Sequence, residues 1–253
     1  MAGAIIRGMV AGGFRGRDIL VYDTDSSKMM TLFEECGICI CSSGEEVAAS
    51  DAVVLAVKPQ VFPEVLPRLA AALHRNAPLV ISIAAGKTLA AIENLLGSGL
   101  PVVRIMPNIN AKVGEAMSAF CGNALVGEEH RSVVRMIFEA VGEIIELDEK
   151  LFSAFSALAG CSPAFALLYI DALAAAGVRY GIPKALSLKI AAQSVLGTAR
   201  LLQESGEHPR ELMDQVCSPG GTTIEGVCAL QREGFETAIQ EAVTAALEKD
   251  KRL

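Results

Sequence analysis

Apolar residues recur along this chain in two rhythms. Up to about residue 148, short apolar runs alternate with longer stretches in which apolar positions return every three or four residues. The short runs predict strands at residues 19–22, 38–41, 52–57, 79–84, 102–106 and 143–147. The longer stretches predict helices at 26–36, 61–73, 89–96 and 128–141. Such alternation argues for a parallel sheet with helices on both faces. Residues 52–57 and 79–84 are apolar at nearly every position, as strands covered on both sides require.

Beyond residue 148 the strand rhythm stops. Helices are predicted at 151–159, 163–180, 184–205, 209–216, 222–232 and 235–250. Gly181-Ile182-Pro183 and Gly206-Glu207-His208-Pro209 punctuate them as helix stops and starts do. The expected organisation is an α/β domain over residues 1–148 and an all-α domain over 149–253. Helices apolar nearly all round carry more surface than one copy can hide. A homodimer through the C-terminal helices is therefore expected, alone or within a larger homo-oligomer.

Residues 151–178 contain one charge, Asp171, and are long enough to span a bilayer. Gly160, Cys161, Ser162 and Pro163 break the run, and its flanks lack an aromatic belt or basic bias, so buried helices of a soluble oligomer are the expectation, with no membrane partner. A net charge of −7 gives no support to nucleic-acid binding. Seven scattered cysteines, with neither paired spacing nor a secretory signal, suit a reduced cytoplasmic compartment. Cys36, Cys39 and Cys41 lack a nearby histidine or fourth cysteine, and isoleucines alternate with two of them. A strand is expected there and no metal site.

The densest candidate chemistry is Asp214-Gln-Val-Cys-Ser-Pro-Gly-Gly-Thr-Thr-Ile-Glu-Gly226, a polar turn between two helices. Pro219 fixes one backbone angle, and Gly220 and Gly221 let the chain pass close to another group. Thr222 starts the next helix. Hydroxyls and free N–H groups at a helix N-terminus can seat a carboxylate. The same residues also suit an ordinary well-capped helix–loop–helix connection.

Five motifs in order and spacing resemble pyrroline-5-carboxylate reductase, over essentially the whole chain. They are Ala56-Val57-Lys58-Pro59, Ser82-Ile83-Ala84-Ala85-Gly86, Arg104-Ile105-Met106-Pro107-Asn108, Ala159-Gly160-Cys161-Ser162-Pro163-Ala164 and the Ser218-Pro219-Gly220-Gly221 turn with its threonines. The resemblance implies a Rossmann-like dinucleotide-binding domain followed by an all-α dimerisation domain. It implies reduction of a cyclic imino acid, 1-pyrroline-5-carboxylate, to L-proline by NADPH or NADH. By the same resemblance Ala56, Val57, Lys58, Pro59, Ala84, Ala85, Met106 and Asn108 line the cofactor. Val216, Ser218, Gly220, Gly221, Thr222 and Thr223 bind the substrate, and Thr223 hydrogen-bonds the ring nitrogen as the catalytic group. Taken singly, Lys58-Pro59 could start a helix and Asn108 could cap one. None of His74, His130 and His208 lies in a family motif, and His208 reads as a helix cap.

The departure is at the front. By the resemblance, Met1-Ala2-Gly3-Ala4-Ile5-Ile6 belongs to the first helix, so the first strand and the Gly-x-Gly-x-x-Gly turn before it are missing from this chain. The missing strand would be central, and each buried backbone group left unpaired costs about 1–3 kcal/mol. A numbering that starts late relative to the working protein is the expectation, a truly shortened chain the alternative. Asp23 suits the ribose hydroxyl of NAD, whereas Ser26, Ser27 and Lys28 could meet a 2′-phosphate; the resemblance favours NADPH. Two other functions remain open. One is a related reductase of another cyclic imine or of a 2-hydroxy acid; the hydroxy-acid enzymes depend on a catalytic lysine, and the candidates, Lys184 and Lys189, resemble surface-helix positions. The other is a non-catalytic oligomerisation or regulatory module.

Overall fold

In the computed structural model, which describes residues 1–250, the first part of the chain alternates helices and strands. In order these are α1 (Ala2–Ala11), β1 (Leu20–Val21), α2 (Ser26–Cys36), β2 (Cys39–Ile40), α3 (Gly44–Val47), β3 (Ala52–Leu55), α4 (Phe62–Asn76), β4 (Leu79–Ser82), α5 (Leu89–Leu96), β5 (Val102–Met106), β6 (Ala116–Gly122), α6 (Glu128–Phe138), β7 (Gly142–Glu146) and α7 (Phe152–Phe155). A π-helical segment, Ser156–Gly160, follows. Then come α8 (Ser162–Arg179), α9 (Lys184–Ser205), α10 (Pro209–Val216), α11 (Thr222–Arg232) and α12 (Phe235–Asp250). The chain forms two compact units, Met1–Gly160 with Asp250, and Cys161–Lys249.

In the first unit β3, β4 and β5 run parallel. Neighbouring residues on a strand face opposite sides, and here both sides are buried. Val80 joins Leu55, Phe62, Leu66, Leu73, Ile92 and Val102 on one face. Ile81 joins Ile5, Val103, Ile105, Phe120, Val134 and Phe138 on the other. Each large side chain so buried contributes about 1.5–3 kcal/mol, which accounts for the continuous apolar runs.

The sequence pattern does not predict β6. It lies antiparallel to β5, with Ile105 opposite Phe120, and parallel to β7. Its residues, Ala-Met-Ser-Ala-Phe-Cys-Gly, include no β-branched side chain, so local composition gives little strand signal. Ladders on both flanks make it a strand.

The predicted continuous sheet is in two pieces. β1 and β2 form a separate parallel pair, Leu20 beside Cys39, and no ladder among the described residues joins β1 to β3. Helix α1 packs into both parts: Ile6 sits with Leu32 and Ile38, and Ile5 with Leu79 and Ile81. As the resemblance implies, α1 takes up residues 2–11, and Gly12 closes it by donating to the Gly8 carbonyl. No described residue supplies a strand between β1 and β3.

In the second unit α8 and α9 pack closely at small residues. Ser187 Oγ donates to the Ala174 carbonyl (2.7 Å), and a Cβ on Gly177 would lie 2.1 Å from that hydroxyl. The helical run Glu149–Arg179 is long and apolar enough to cross a membrane, and 22% of its apolar window is buried in the single chain. Leu167, Leu168 and Leu173, like Leu186, Ile190 and Leu196 of α9, are exposed. The burial expected for these helices is thus not provided by one copy.

Candidate active site

The ladders place Leu55, Ser82 and Arg104 in one row across β3, β4 and β5. The segments that follow these residues therefore emerge side by side, at the edge where an open α/β sheet binds ligands. Ala56, Val57 and Lys58 are exposed there, and Pro59 begins a 3₁₀ turn into α4. After β4, Ala84 is buried and Ala85 exposed. Gly86, at φ +71°, swings the chain to Thr88, whose hydroxyl caps α5 at the Ala91 N–H. Met106 ends β5. The small side chains at 56, 84 and 85 leave the backbone open to a flat ligand, which fits a nicotinamide nucleotide.

Asn108 differs from its neighbours on this edge. It is 7% exposed, and both the oxygen and the nitrogen of its amide are hydrogen-bonded within the protein. Nδ2 donates to the Ala159 carbonyl (2.9 Å), while Oδ1 accepts from the N–H groups of Asn110 (3.2 Å) and Met117 (3.4 Å). The side chain caps the turn Ile109–Val113 and anchors the loop to the π-helical segment and β6.

A clamp that the sequence does not reveal holds two of these segments together. Arg104, buried on β5, places Nη1 3.1 Å from Glu149 Oε1 and its guanidinium 4.4 Å from the centre of the Phe152 ring. The same Glu149 oxygen accepts from the Leu89 N–H (2.8 Å). One carboxylate thus ties the strand ending in Met106 to the helix that follows Ala84 and Ala85. Glu149 lies 45 and 60 positions from its partners, a separation that no local pattern encodes. Beside this clamp the Cys121 thiol is pushed up to about 12, first by burial and then by the Glu149 charge.

The edge of the small sheet is acidic. Asp25 caps α2, accepting from the Ser27 N–H and hydroxyl. Lys28 Nζ stands 3.3 Å from the same carboxylate. Of the three residues expected from sequence to meet a 2′-phosphate, Ser26, Ser27 and Lys28, the last two are thus directed at Asp25. Cys39 and Ile40 form β2. No glycine turn precedes α1 among the described residues to receive a pyrophosphate.

In the second unit Val216 ends α10 and is exposed. Residues 218–221 form a turn closed by Gly221 N–H donating to the Ser218 carbonyl (3.0 Å). Gly220 takes the left-handed conformation, φ +67°, which glycine adopts without penalty. Gly221 is extended (φ −81°, ψ 172°) and caps α11 with no side-chain oxygen. The first N–H groups of α11 are consequently unsatisfied by any side chain. Ser218, Thr222 and Thr223 are exposed, and no hydrogen bond from their hydroxyls is made to the described residues. Together the uncapped helix end and three hydroxyls make an anion seat. The capped-connection reading lacks the cap it requires.

The histidines serve helix ends. His208 Nδ1 accepts from Arg210 N–H (3.2 Å) and His130 Nδ1 from Gly127 N–H (3.1 Å), while His74 Nε2 contacts the Leu96 carbonyl (2.8 Å). Lys184, a candidate base for hydroxy-acid chemistry, is paired with Asp171 at 2.5 Å. Among the described residues no group of three or more His, Cys, Asp or Glu side chains suits a metal ion.

Comparison with known proteins places these two units in context. Residues 149–253 match the family model for pyrroline-5-carboxylate reductase dimerisation. Residues 1–86 match the model described as NADP oxidoreductase coenzyme F420-dependent. The chain is 40% identical to the pyrroline-5-carboxylate reductase of Escherichia coli, over all of this chain and 94% of that one. It is 39% identical to the Arabidopsis thaliana pyrroline-5-carboxylate reductase, over all of this chain and 92% of that one. The solved pyrroline-5-carboxylate reductase of Coxiella burnetii superposes with a TM-score of 0.95 at 32% identity, covering 99% of this chain and 94% of that one. That of Plasmodium falciparum, with NADP bound, gives 0.84 at 30% identity, covering 98% and 92%.

Proposed function

This chain belongs to the pyrroline-5-carboxylate reductase family, and we propose that it reduces 1-pyrroline-5-carboxylate to L-proline with NAD(P)H, the last step of proline biosynthesis. The observation that carries the substrate reading is the uncapped N-terminus of α11, with its glycine turn and three unpartnered hydroxyls. In this reading the backbone N–H groups of Gly220 and Gly221 and the hydroxyls of Ser218 and Thr222 hold the ring carboxylate, and Val216 borders the ring. Where the Gly221 N–H already closes its own turn, the carboxylate shares it.

Thr223 Oγ1 accepts from the N–H of the protonated imine and orients it. The reduced nicotinamide, when bound, supplies the hydride. Because the substrate nitrogen carries its own positive charge, the imine carbon is already electrophilic, and reduction leaves an amine. The residues then need only position and hold charge, with reacting atoms brought to about 3–3.5 Å. This accounts for a site without a free histidine.

We assign cofactor contacts to Ala56, Val57, Lys58, Pro59, Ala84, Ala85 and Met106. Asn108 acts in support: with its amide engaged, it fixes the loop after β5 and does not grip the nucleotide through its side chain. Cofactor binding belongs to residues 1–148, and substrate binding and homodimerisation to residues 149–253. The exposed apolar faces of α8 and α9 are the surface that a second copy covers. Seven free cysteines suit the cytoplasm.

Thr223→Val tests the assignment. It should lower kcat sharply with NAD(P)H affinity nearly unchanged. An unaltered rate, or equal loss of turnover and cofactor binding, would remove Thr223 from the role given to it.

A further inference from the structure

Resting on that reading of the cofactor edge, we propose that Asp23 makes this enzyme prefer NADH to NADPH, by accepting the adenosine ribose hydroxyls where a 2′-phosphate would find no free cation. Asp23 stands just past the end of β1. In doubly wound folds an acid at the corresponding strand end takes the ribose hydroxyl, whereas a basic residue there accommodates the phosphate.

The carboxylate is held ready for a donor. Its Oδ1 accepts from the Asp25 N–H (2.8 Å), and the Asp23 N–H is directed at Met29 Sδ (3.1 Å). The second oxygen, Oδ2, accepts nothing from the described residues. A ribose hydroxyl can donate to it, and a phosphate dianion cannot.

The groups that could welcome a phosphate are committed elsewhere. Across residues 22–28 and 41–46, which follow β1 and β2, Lys28 is the one cation and Asp23, Asp25, Glu45 and Glu46 are the acids. Lys28 faces Asp25 at 3.3 Å. Ser27 gives both its N–H (3.1 Å) and its hydroxyl (2.6 Å) to Asp25. Past β2, the Ser42 N–H donates to Glu46 Oε2 (3.0 Å) and the Ser42 hydroxyl to Glu46 Oε1. The hydrogen bond from Ser27, then that from Lys28, holds the Asp25 carboxyl below the usual range. Ser42 does the same for Glu46. Both acids therefore stay charged at neutral pH and keep their donors. The remaining Thr24, Ser26 and Ser43 hydroxyls are neutral and do not offset a phosphate of charge near −2. Lys58, another cation of this domain, follows β3, which lies in the separate five-stranded sheet. This preference is opposite to the NADPH that the family resemblance favours.

The test is a pair of binding titrations on the full chain, following NADH and NADPH fluorescence in separate experiments. The chain has no tryptophan, so protein emission interferes little. NADH should bind about tenfold or more tightly than NADPH, the discrimination of one good charge-assisted hydrogen bond. Asp23→Asn keeps an oxygen for the Asp25 N–H, so the turn survives, and it should bring the two affinities to within about threefold. Asp25→Asn, by releasing Lys28 and Ser27, should strengthen NADPH binding, and Lys28→Ala should change neither affinity. Tighter NADPH binding by the unaltered chain, an unmoved ratio in Asp23→Asn, or selective NADPH loss in Lys28→Ala overturns the proposal. Binding of neither nucleotide overturns the cofactor reading itself, and the preference with it.

Discussion

Replacing Gly221 by alanine separates the folding role of the substrate loop from its binding role. The backbone at Gly221 (φ −81°, ψ 172°) is one that alanine adopts freely. Loss of unfolded-chain entropy alone would then stabilise the variant by up to about 1 kcal/mol. Against this, the new Cβ would lie 2.3 Å from Ser218 Oγ and 3.1 Å from the Ser218 carbonyl oxygen. The hydroxyl is the free end of a side chain and can rotate away, while the carbonyl must yield by a few tenths of an ångström. Folding stability should therefore change by no more than about 1 kcal/mol. Binding should not escape. With the Ser218 hydroxyl displaced, the carboxylate loses a hydrogen bond to a charged group, about 1.5–3 kcal/mol. That is roughly a 10- to 150-fold fall in kcat/KM. Steady-state rates at saturating cofactor, paired with thermal unfolding, give both quantities. Ser218→Ala should reproduce the kinetic loss with no steric conflict. If Gly221→Ala keeps kcat/KM within about twofold at unchanged stability, the loop does not seat the carboxylate through Ser218.

Two further perturbations probe each unit alone. Gly177→Ala gains up to about 1 kcal/mol of helix propensity but forces a Cβ to 2.1 Å from Ser187 Oγ, an overpacking cost of about 1–3 kcal/mol. Net destabilisation is expected, and Ser187→Ala should relieve it in a double-mutant cycle read by denaturant unfolding; additive losses would contradict the close contact. Cys121, its thiol pushed from 9.0 up to about 12 by burial, favours the protonated form in the fold. Its contribution is intact below pH 9, and stability should fall between pH 9 and 12 as the unfolded chain ionises first. Cys121→Ala should flatten that slope, which unfolding midpoints across the range would reveal.

Much of this arrangement was readable locally. Residues 52–57 and 79–84 read as buried strands because a strand covered on both faces needs apolar residues at every position, and the structure buries Val80 and Ile81 on opposite sides. The glycines of the substrate turn were legible because a left-handed residue and a close approach leave few alternatives at Gly220 and Gly221. Helices α9 to α12 follow their caps and stops, residues such as His208 and Gly206, which act within a turn of where they stand.

Other features had no local signature. β6 has no β-branched residue and is a strand because β5 and β7 offer it ladders on both edges. The Arg104–Glu149–Leu89 clamp joins residues that only the packed sheet brings together. Asn108 bears the same motif whether its amide faces a ligand or the protein, and only its contacts with Ala159, Asn110 and Met117 turn it inward. At the end of β1 the sequence offered Asp23 and Lys28 with opposite preferences for the cofactor. The fold pairs Lys28 with Asp25 and leaves one oxygen of Asp23 open, an arrangement that only the folded turn reveals. Sequence fixes what each residue can donate, accept or bury nearby; which partner satisfies it is a long-range matter, settled only when the chain has closed on itself.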